Sequence, residues 1–461
     1  MTSSYDAAMV SLFSSGGSKL AVMDTAGLVE SARGIPATLP SLSALQQAPM
    51  AAVREWYVSC ANPMQSALVL AGVLSAVVWL LGEITGNVSQ VDRLWTFLPV
   101  LFAAHWTIAP WVQLDGARGG WQAFLDSTDE RMRLMLVLLL LWSARLTTNT
   151  YRRGFFNPKS EDYRWPIVRD ALPKLAFELF HLTFIAFTQV YFLLAATAPF
   201  YVILARGPSA KAVPLGLVDG SLAALYVLIL VLEMVADNQQ QAYQSLKHSG
   251  GFATTSTGVS DPSVARGKIA RGFVTDGLWA WCRHPNFACE QATWYVLYAF
   301  TLVSVMRDDA WPRLVELARQ DPRDVLRALE SGLHAAKSLK KDHLTRDLPE
   351  RALALVPTST AELQALLSGL REAAHESPYV NWSVCSPLGM SVLFLSSTAL
   401  TEHISSRKYA LYREYQRRVA MFLPPLTPLK GFWLLITAQR KRVDRLVFGD
   451  ADDVPSIKKR S

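Results

Sequence analysis

The sequence predicts an all-α fold: a polytopic membrane helix bundle of about seven spans, carrying a small helical insertion. Three observations predict it. Of 461 residues, 51% are apolar, only 18% are charged, and 14 are tryptophan, a composition too apolar for a usual soluble chain of this length. Several apolar runs reach the ~20 residues that cross a bilayer as a helix. Basic residues gather where those runs end, as they do at membrane exits. The competing reading, a soluble helical protein, would need one core to hide all of these charge-free runs.

The N-terminal segment, 1–60, is rich in Ser, Ala and Gly. It lacks a cationic start followed by an apolar core, so it does not read as a signal peptide. Residues 47–60 predict a short helix lying on the membrane, and the remainder a disordered stretch. The core, 61–306, holds apolar runs at 65–86, 94–112, 133–150, 176–204, 215–236 and 287–306. The fourth is over-long and contains Glu178 and His181, which fits an interfacial start or a tilted helix. Between the fifth and sixth runs, residues 249–270 are rich in Gly, Ser and Thr and predict a flexible loop. Residues 307–380 carry dense, nearly balanced charge. Val315, Leu317, Val325, Leu326 and Leu329, then Leu363, Leu366, Leu367 and Leu370, recur there at near-helical spacing, which predicts a helical insertion outside the membrane. The C-terminal segment, 381–461, opens with a last run at 384–401. No long internal repeat is present.

The basic residues set an orientation. Arg145, Arg152, Arg153, Lys159, Arg164, Arg169 and Lys174 lie between the third and fourth runs. Lys247, Arg266, Lys268, Arg271 and Arg283 follow the fifth, and Arg407, Lys408, Arg413, Arg417, Arg418, Arg440, Lys441 and Arg442 follow the seventh. Seven spans place all three groups on one side. The positive-inside bias makes that side cytosolic, with a lumenal N-terminus and a cytosolic C-terminus. The net charge of +7 then reflects this bias and attraction to membrane lipids of negative charge. No separate basic domain suggests nucleic acid. The last residues, Lys458-Lys459-Arg460-Ser461, fit a dilysine retrieval signal, which points to an integral membrane protein of the endoplasmic reticulum.

The run from Gly277 to Glu290 concentrates polar groups at the mouth of an apolar helix beginning near Pro285. Proline suits the first helical position, where its missing N–H costs nothing. Asn286 and Glu290, four apart, share a face. Arg283 and His284 stand just before the helix, where free N–H groups already favour anions. A carboxylate such as Glu290 inside an apolar span is expensive unless it faces a polar cavity. The four cysteines are scattered, and the eight histidines form no His-x-x-x-His pair, so no metal is expected. A Gly-x-Gly-x-x-Gly turn and a Gly-x-Ser-x-Gly elbow are both missing. Any nucleotide must then be gripped by helices and loops of the membrane core.

Arg283-His284-Pro285-Asn286-Phe287-Ala288-Cys289-Glu290 resembles the signature of the steroid 5-alpha-reductase-like integral membrane proteins (3-oxo-5-alpha-steroid 4-dehydrogenase C-terminal-like), in particular their microbial and fungal branch. Four further stretches resemble that branch in order. They are Ser89…Asp92…Trp95, then Trp142…Arg145-Leu146 with Glu161-Asp162-Tyr163-Arg164-Trp165, then Glu233…Ala236-Asp237…Gln240, and finally Tyr412…Tyr415…Val419 with Phe422-Leu423-Pro424. The resemblance implies an NADPH-dependent reductase of a C=C bond conjugated to a carbonyl in a lipid-like substrate, steroid or fatty. It implies cofactor contacts from Asn286, Glu290, Arg283, His284, Asp237, Gln240, Arg145, Arg164 and Tyr415. It also implies that Arg145, Asp162 and Arg164 close the cytosolic side. The Gln and Tyr that hold a steroid carbonyl in that family have no matched counterpart here, so the general acid is unassigned; Tyr57, Glu83, Asn87, Gln90 and Asp92 are nearby polar residues. Two alternatives stand. Isoprenylcysteine and phospholipid methyltransferases resemble the same Arg-His-Pro and Tyr-x-x-Tyr stretches and use S-adenosylmethionine. The other is a non-enzymatic membrane protein that retains the fold.

Overall fold

The computed structural model describes residues 39–60, 62–113, 120–162, 164–205, 214–248, 269–304 and 381–449, together with Ile35 and Gly267. The expected insertion at 307–380, most of the 249–270 loop, the first 34 residues and the dilysine tail lie outside the described residues.

The described chain is helical, and its one β feature is an isolated bridge between Cys282 and Ala420. In order the helices are α1 (Leu42–Gln47), α2 (Pro49–Ser59), α3 (Pro63–Thr85), α4 (Gln90–Leu94), α5 (Leu98–Gln113), α6 (Gly120–Ser127), α7 (Glu130–Arg152) and α8 (Arg164–Ala171). Then come α9 (Lys174–Ala196), α10 (Ala198–Ala205), α11 (Leu217–His248), α12 (Pro285–Val303), α13 (Cys385–Lys408), α14 (Tyr412–Arg418), α15 (Leu426–Ile436) and α16 (Arg440–Phe448). Local chemistry sets the ends. The Asn62 side chain accepts from Met64 N and Pro63 opens α3, whose C-cap Gly86 is left-handed at φ 65°. The Asp129 carboxylate accepts from Arg131 N and Met132 N and starts α7. Proline opens α12 as the sequence suggests.

Four helices are long and apolar enough to cross a membrane: Pro63–Thr85, Lys174–Ala196, Leu217–His248 and Trp382–Lys408. The expectation of about seven spans is therefore corrected to four candidates among the described residues. The run at 94–112 forms only the 16-residue α5, with Pro110 inside it. At 1.5 Å per residue it falls short of a hydrocarbon core of about 30 Å. The run at 133–150 sits in α7, which also carries Glu130, Arg131, Arg133, Arg145 and Arg152. The run at 287–306 is α12, whose Trp294, Leu297 and Phe300 are buried in the protein. An apolar run does not distinguish a helix wrapped by protein from one wrapped by lipid, and the sequence pattern counted both. The over-long fourth run breaks at Thr197, whose hydroxyl accepts from Trp106 Nε1 at 2.9 Å, and α10 begins afresh beyond it.

α12 lies at the centre, packed along α11, with α13 and α10 beside it and α7 closing against α11. Trp106, Trp142, Trp294, Phe102, Phe200 and Phe300 fill the core. A buried pair, Arg131 Nε to Asp219 Oδ1 at 2.6 Å, ties the start of α7 to the start of α11. At the other ends of these helices the loop after α7 is clasped to the segment after α3. Ser89 Oγ accepts from Asp162 N at 2.9 Å, Asp92 Oδ2 accepts from Trp165 Nε1 at 2.7 Å, and Asn87 Nδ2 donates to the Pro158 and Ser160 carbonyls. The Ser89–Trp95 and Glu161–Trp165 motifs are thus two halves of one clasp. Burial raises the Asp92 carboxyl above its usual range, and the Trp165 N–H opposes that shift.

Candidate functional site

A cavity of about 950 Å³ opens at the end of the bundle where α7, α11 and α13 finish, and segment 272–287 and α14 complete its wall. All three basic groups of the sequence meet around it, with Arg152, Arg153 and Arg164 from the first, Lys247 and Arg283 from the second, and Lys408 from the third. With four candidate spans the odd-number argument for opposite termini falls away. The gathering of the basic residues at one end of the bundle remains.

Of the sequence-selected residues, Asn286, Arg283, His284, Asp237, Gln240, Arg164 and Tyr415 line this cavity. Glu290 and Arg145 do not; they lie behind the wall. There, one guanidinium serves three carboxylates. Arg145 Nη1 reaches Glu233 Oε1 and Asp237 Oδ2, each at 2.9 Å, and Nη2 reaches Glu290 Oε2 at 3.1 Å. Glu290 also accepts from Trp142 Nε1 at 2.9 Å and Trp294 Nε1 at 3.1 Å. Trp142 and Arg145 are three apart on α7, so one helical face grips Glu290. Glu233 and Asp237 are four apart on α11 and grip Arg145 in turn. Asp237 alone of the three carboxylates also faces the cavity, where Asn286 Nδ2 donates to its Oδ1 at 3.2 Å. Several buried polar atoms here have no partner among the described residues: Arg145 Nε, Glu233 Oε2, Tyr226 Oη and Gln240 Oε1.

A second ionic cluster builds the opposite wall. Arg283 donates through Nε to Glu402 Oε1 at 2.6 Å and through Nη2 to Glu402 Oε2 at 2.9 Å. His284 Nε2 stands 2.9 Å from Glu402 Oε1, and Gln416 Nε2 donates to Oε2 at 2.9 Å. Arg283 Nη1 donates to the Gln416 and Val419 carbonyls, while Arg283 N bonds Ala420 O at 2.8 Å. Arg283 therefore fastens the C-terminal segment to the bundle. Tyr415 donates to Trp279 O at 2.6 Å and stacks on Phe273. Burial lifts its phenol well above the usual value, and lifts the Cys282 thiol to about 11, so neither is a ready nucleophile.

Arg164 pairs with its neighbour Asp162, Nε to Oδ1 at 2.7 Å, on the cavity wall. The sequence marks Lys247 only as a basic residue at a membrane exit and does not single out Tyr409, yet their Nζ and Oη meet at 3.0 Å on the same wall. Gly272, at φ +88°, makes room for the Tyr409 ring, since a Cβ there would stand 2.3 Å from it. Burial raises the Tyr409 phenol, but the Lys247 ammonium outweighs this and brings it below the usual value. The sequence reading missed Glu402, which no spacing rule links to Arg283. A third grouping, Glu83, Glu178 and His181, brings possible ligand atoms within 4.8 Å of one another. Its His181 Nδ1 is already 2.9 Å from Glu83 Oε1, the geometry of an ion pair.

Comparison with known proteins agrees on kinship and is silent on chemistry. An uncharacterized protein of Schizosaccharomyces pombe is 30% identical over 366 residues, spanning 79% of this chain and 80% of that protein. No solved structure matches. The sequence model described as "Protein of unknown function (DUF1295)" matches residues 78–314, which take in the clasp, both grips on Arg145 and the Arg283–Glu290 run. The chain belongs to the DUF1295 family.

Proposed function

We propose that the cavity holds NADPH and that the protein is a membrane-embedded reductase of a C=C bond conjugated to a carbonyl in a lipid-like substrate. The observation that carries this reading is the polar wall at Asp237, Asn286 and Gln240. Asp237 is held in place by Arg145 from behind, and Gln240 Oε1 is a buried acceptor with no partner among the described residues. A carboxylate, an amide and a free acceptor on one wall suit sugar hydroxyls and a carboxamide. Exposed Arg152 and Arg153 at the rim suit phosphates, which guanidinium groups bind in pairs of hydrogen bonds. Tyr243, Trp279 and Phe287 offer flat aromatic faces for the rings. The volume is at the upper end of the roughly 300–1,000 Å³ typical of small-molecule and cofactor pockets. NADPH, when bound, supplies a hydride for the β carbon of such a bond. The chain's own part is to orient the sugar through Asp237 and Asn286, to hold Asp237 through Arg145, and to exclude water.

The integral membrane character places a lipid-like substrate within reach from the bilayer. The basic end of the bundle is assigned to the cytosol on the positive-inside bias. Titration of the purified protein with NADPH, NADH and S-adenosylmethionine, with mass spectrometry of any nucleotide that co-purifies, tests the reading. Saturable NADPH binding is expected. Tight S-adenosylmethionine binding without NADPH binding would overturn it in favour of methyl transfer.

A further inference from the structure

The helix pair at the C-terminal end has an unusual polarity. α15 turns its apolar side outward, with Leu429 62%, Phe432 58%, Trp433 66% and Ile436 62% exposed. Its inward side carries the polar contacts. Thr427 Oγ1 donates to Trp281 O at 2.6 Å and accepts from Ala420 N at 2.8 Å, and Lys430 Nζ donates to Gln416 O at 2.7 Å. A helix in water has the opposite arrangement. Eleven residues rise only about 16 Å, roughly half of a hydrocarbon core, so α15 cannot cross a bilayer.

After a turn at Ala438, φ 59°, the polarity reverses. α16 buries Val443 and Val447 against α14 and exposes Lys441, Arg442 and Arg445. Arg440 and Arg418 share Asp444, at 3.3 Å and 2.5 Å, which is the one acidic residue of α16. Beside α15 the indole of Trp281 is also exposed. Trp, Lys and Arg flanking an apolar face are the residues that settle at a bilayer surface.

We propose that α15 and α16 form a surface anchor on anionic phospholipid. The apolar face of α15 lies in the acyl boundary of the leaflet at the basic end of the bundle, and the basic face of α16 sits on the headgroups. Lipid fits this surface better than a second copy does. A two-fold contact through α15 would bring two strongly basic α16 helices together. The anchor bears on the cavity, because α15 backs the Trp281–Arg283 segment and α14, which together form one cavity wall. The anchor rests on the polarity of α15 and α16 and is independent of the reductase reading.

The test uses the full chain in nanodiscs of phosphatidylcholine, with and without phosphatidylserine. Spin labels are placed through Leu429→Cys, Trp433→Cys and Arg442→Cys, each over Cys385→Ser to remove the exposed native thiol. Labels at 429 and 433 should collide severalfold more with oxygen than with a water-soluble nickel chelate, and the label at 442 should show the reverse. Phosphatidylserine should slow the label at 442, and Lys441→Gln with Arg445→Gln should abolish that response. Nickel-accessible labels at 429 and 433 would overturn the anchor. Concentration-dependent spin–spin broadening there would reassign the face to a second copy. Identical spectra in the two lipids would remove the anionic headgroup from the proposal.

Discussion

Two ionic clusters flank the cavity, and they are built in opposite senses. Behind the floor one guanidinium, Arg145, meets three carboxyl groups. Across the wall one carboxylate, Glu402, meets the Arg283 guanidinium, the His284 ring and the Gln416 amide. The second cluster is saturated: both Glu402 oxygens accept, and Arg283 spends its remaining donors on two carbonyls. The first is not, since Arg145 Nε, Glu233 Oε2 and the nearby Tyr226 Oη are buried without partners among the described residues. A saturated buried cluster fixes one conformation. In the other, Asp237 reaches the cavity while the unpartnered atoms lie behind it. On the proposed reading, the Glu402 cluster serves architecture and the Arg145 cluster holds the binding wall in place.

The largest expected effect lies in the saturated cluster. Glu402→Ala strands Arg283 in a buried site, which should cost about 3–5 kcal/mol. Unfolding in detergent should show it, with early exposure of the C-terminal segment to protease. A variant as stable as the parent would break the architectural assignment. Next comes Glu290→Gln, which keeps the volume but turns one acceptor towards the Arg145 and Trp donors as a donor. Loss of a charged hydrogen bond should cost about 1.5–3 kcal/mol, read as weaker NADPH binding because Arg145 no longer holds Asp237 firmly. Glu233→Gln should be smallest, under about 1 kcal/mol in stability, because among the described residues no donor reaches Glu233 Oε2, and an amide nitrogen there leaves the Oε1 contact with Arg145 in place. If Glu233→Gln and Glu290→Gln were equally damaging, the first cluster would be as rigid as the second, and the comparison would fail.

The sequence made part of this legible. Helical spacing pairs Asn286 with Glu290, and the two do share a face. The helix that starts at Pro285 is where its proline suggests. Three things were not legible. Glu402 lies 119 residues from Arg283, a distance over which no periodicity carries information. The number of spans was overread, because α5 is short, α7 carries charged residues along its length, and α12 is apolar for the sake of a protein core. Glu290 was read as a cavity residue because a buried carboxylate needs a polar surrounding. Its surrounding is Trp142, Trp294 and Arg145, supplied by the protein itself.

The central claim is that Asp237 and Asn286 present a nucleotide-binding wall. Calorimetric titration of NADPH into the wild type, Asp237→Asn and Asn286→Ala tests it most directly, with thermal unfolding of each as the control. The account predicts saturable binding to the wild type, weakened about ten- to a hundredfold in both variants at little change in unfolding temperature. Undiminished NADPH affinity in both variants, or a wild type that binds only S-adenosylmethionine, would contradict it.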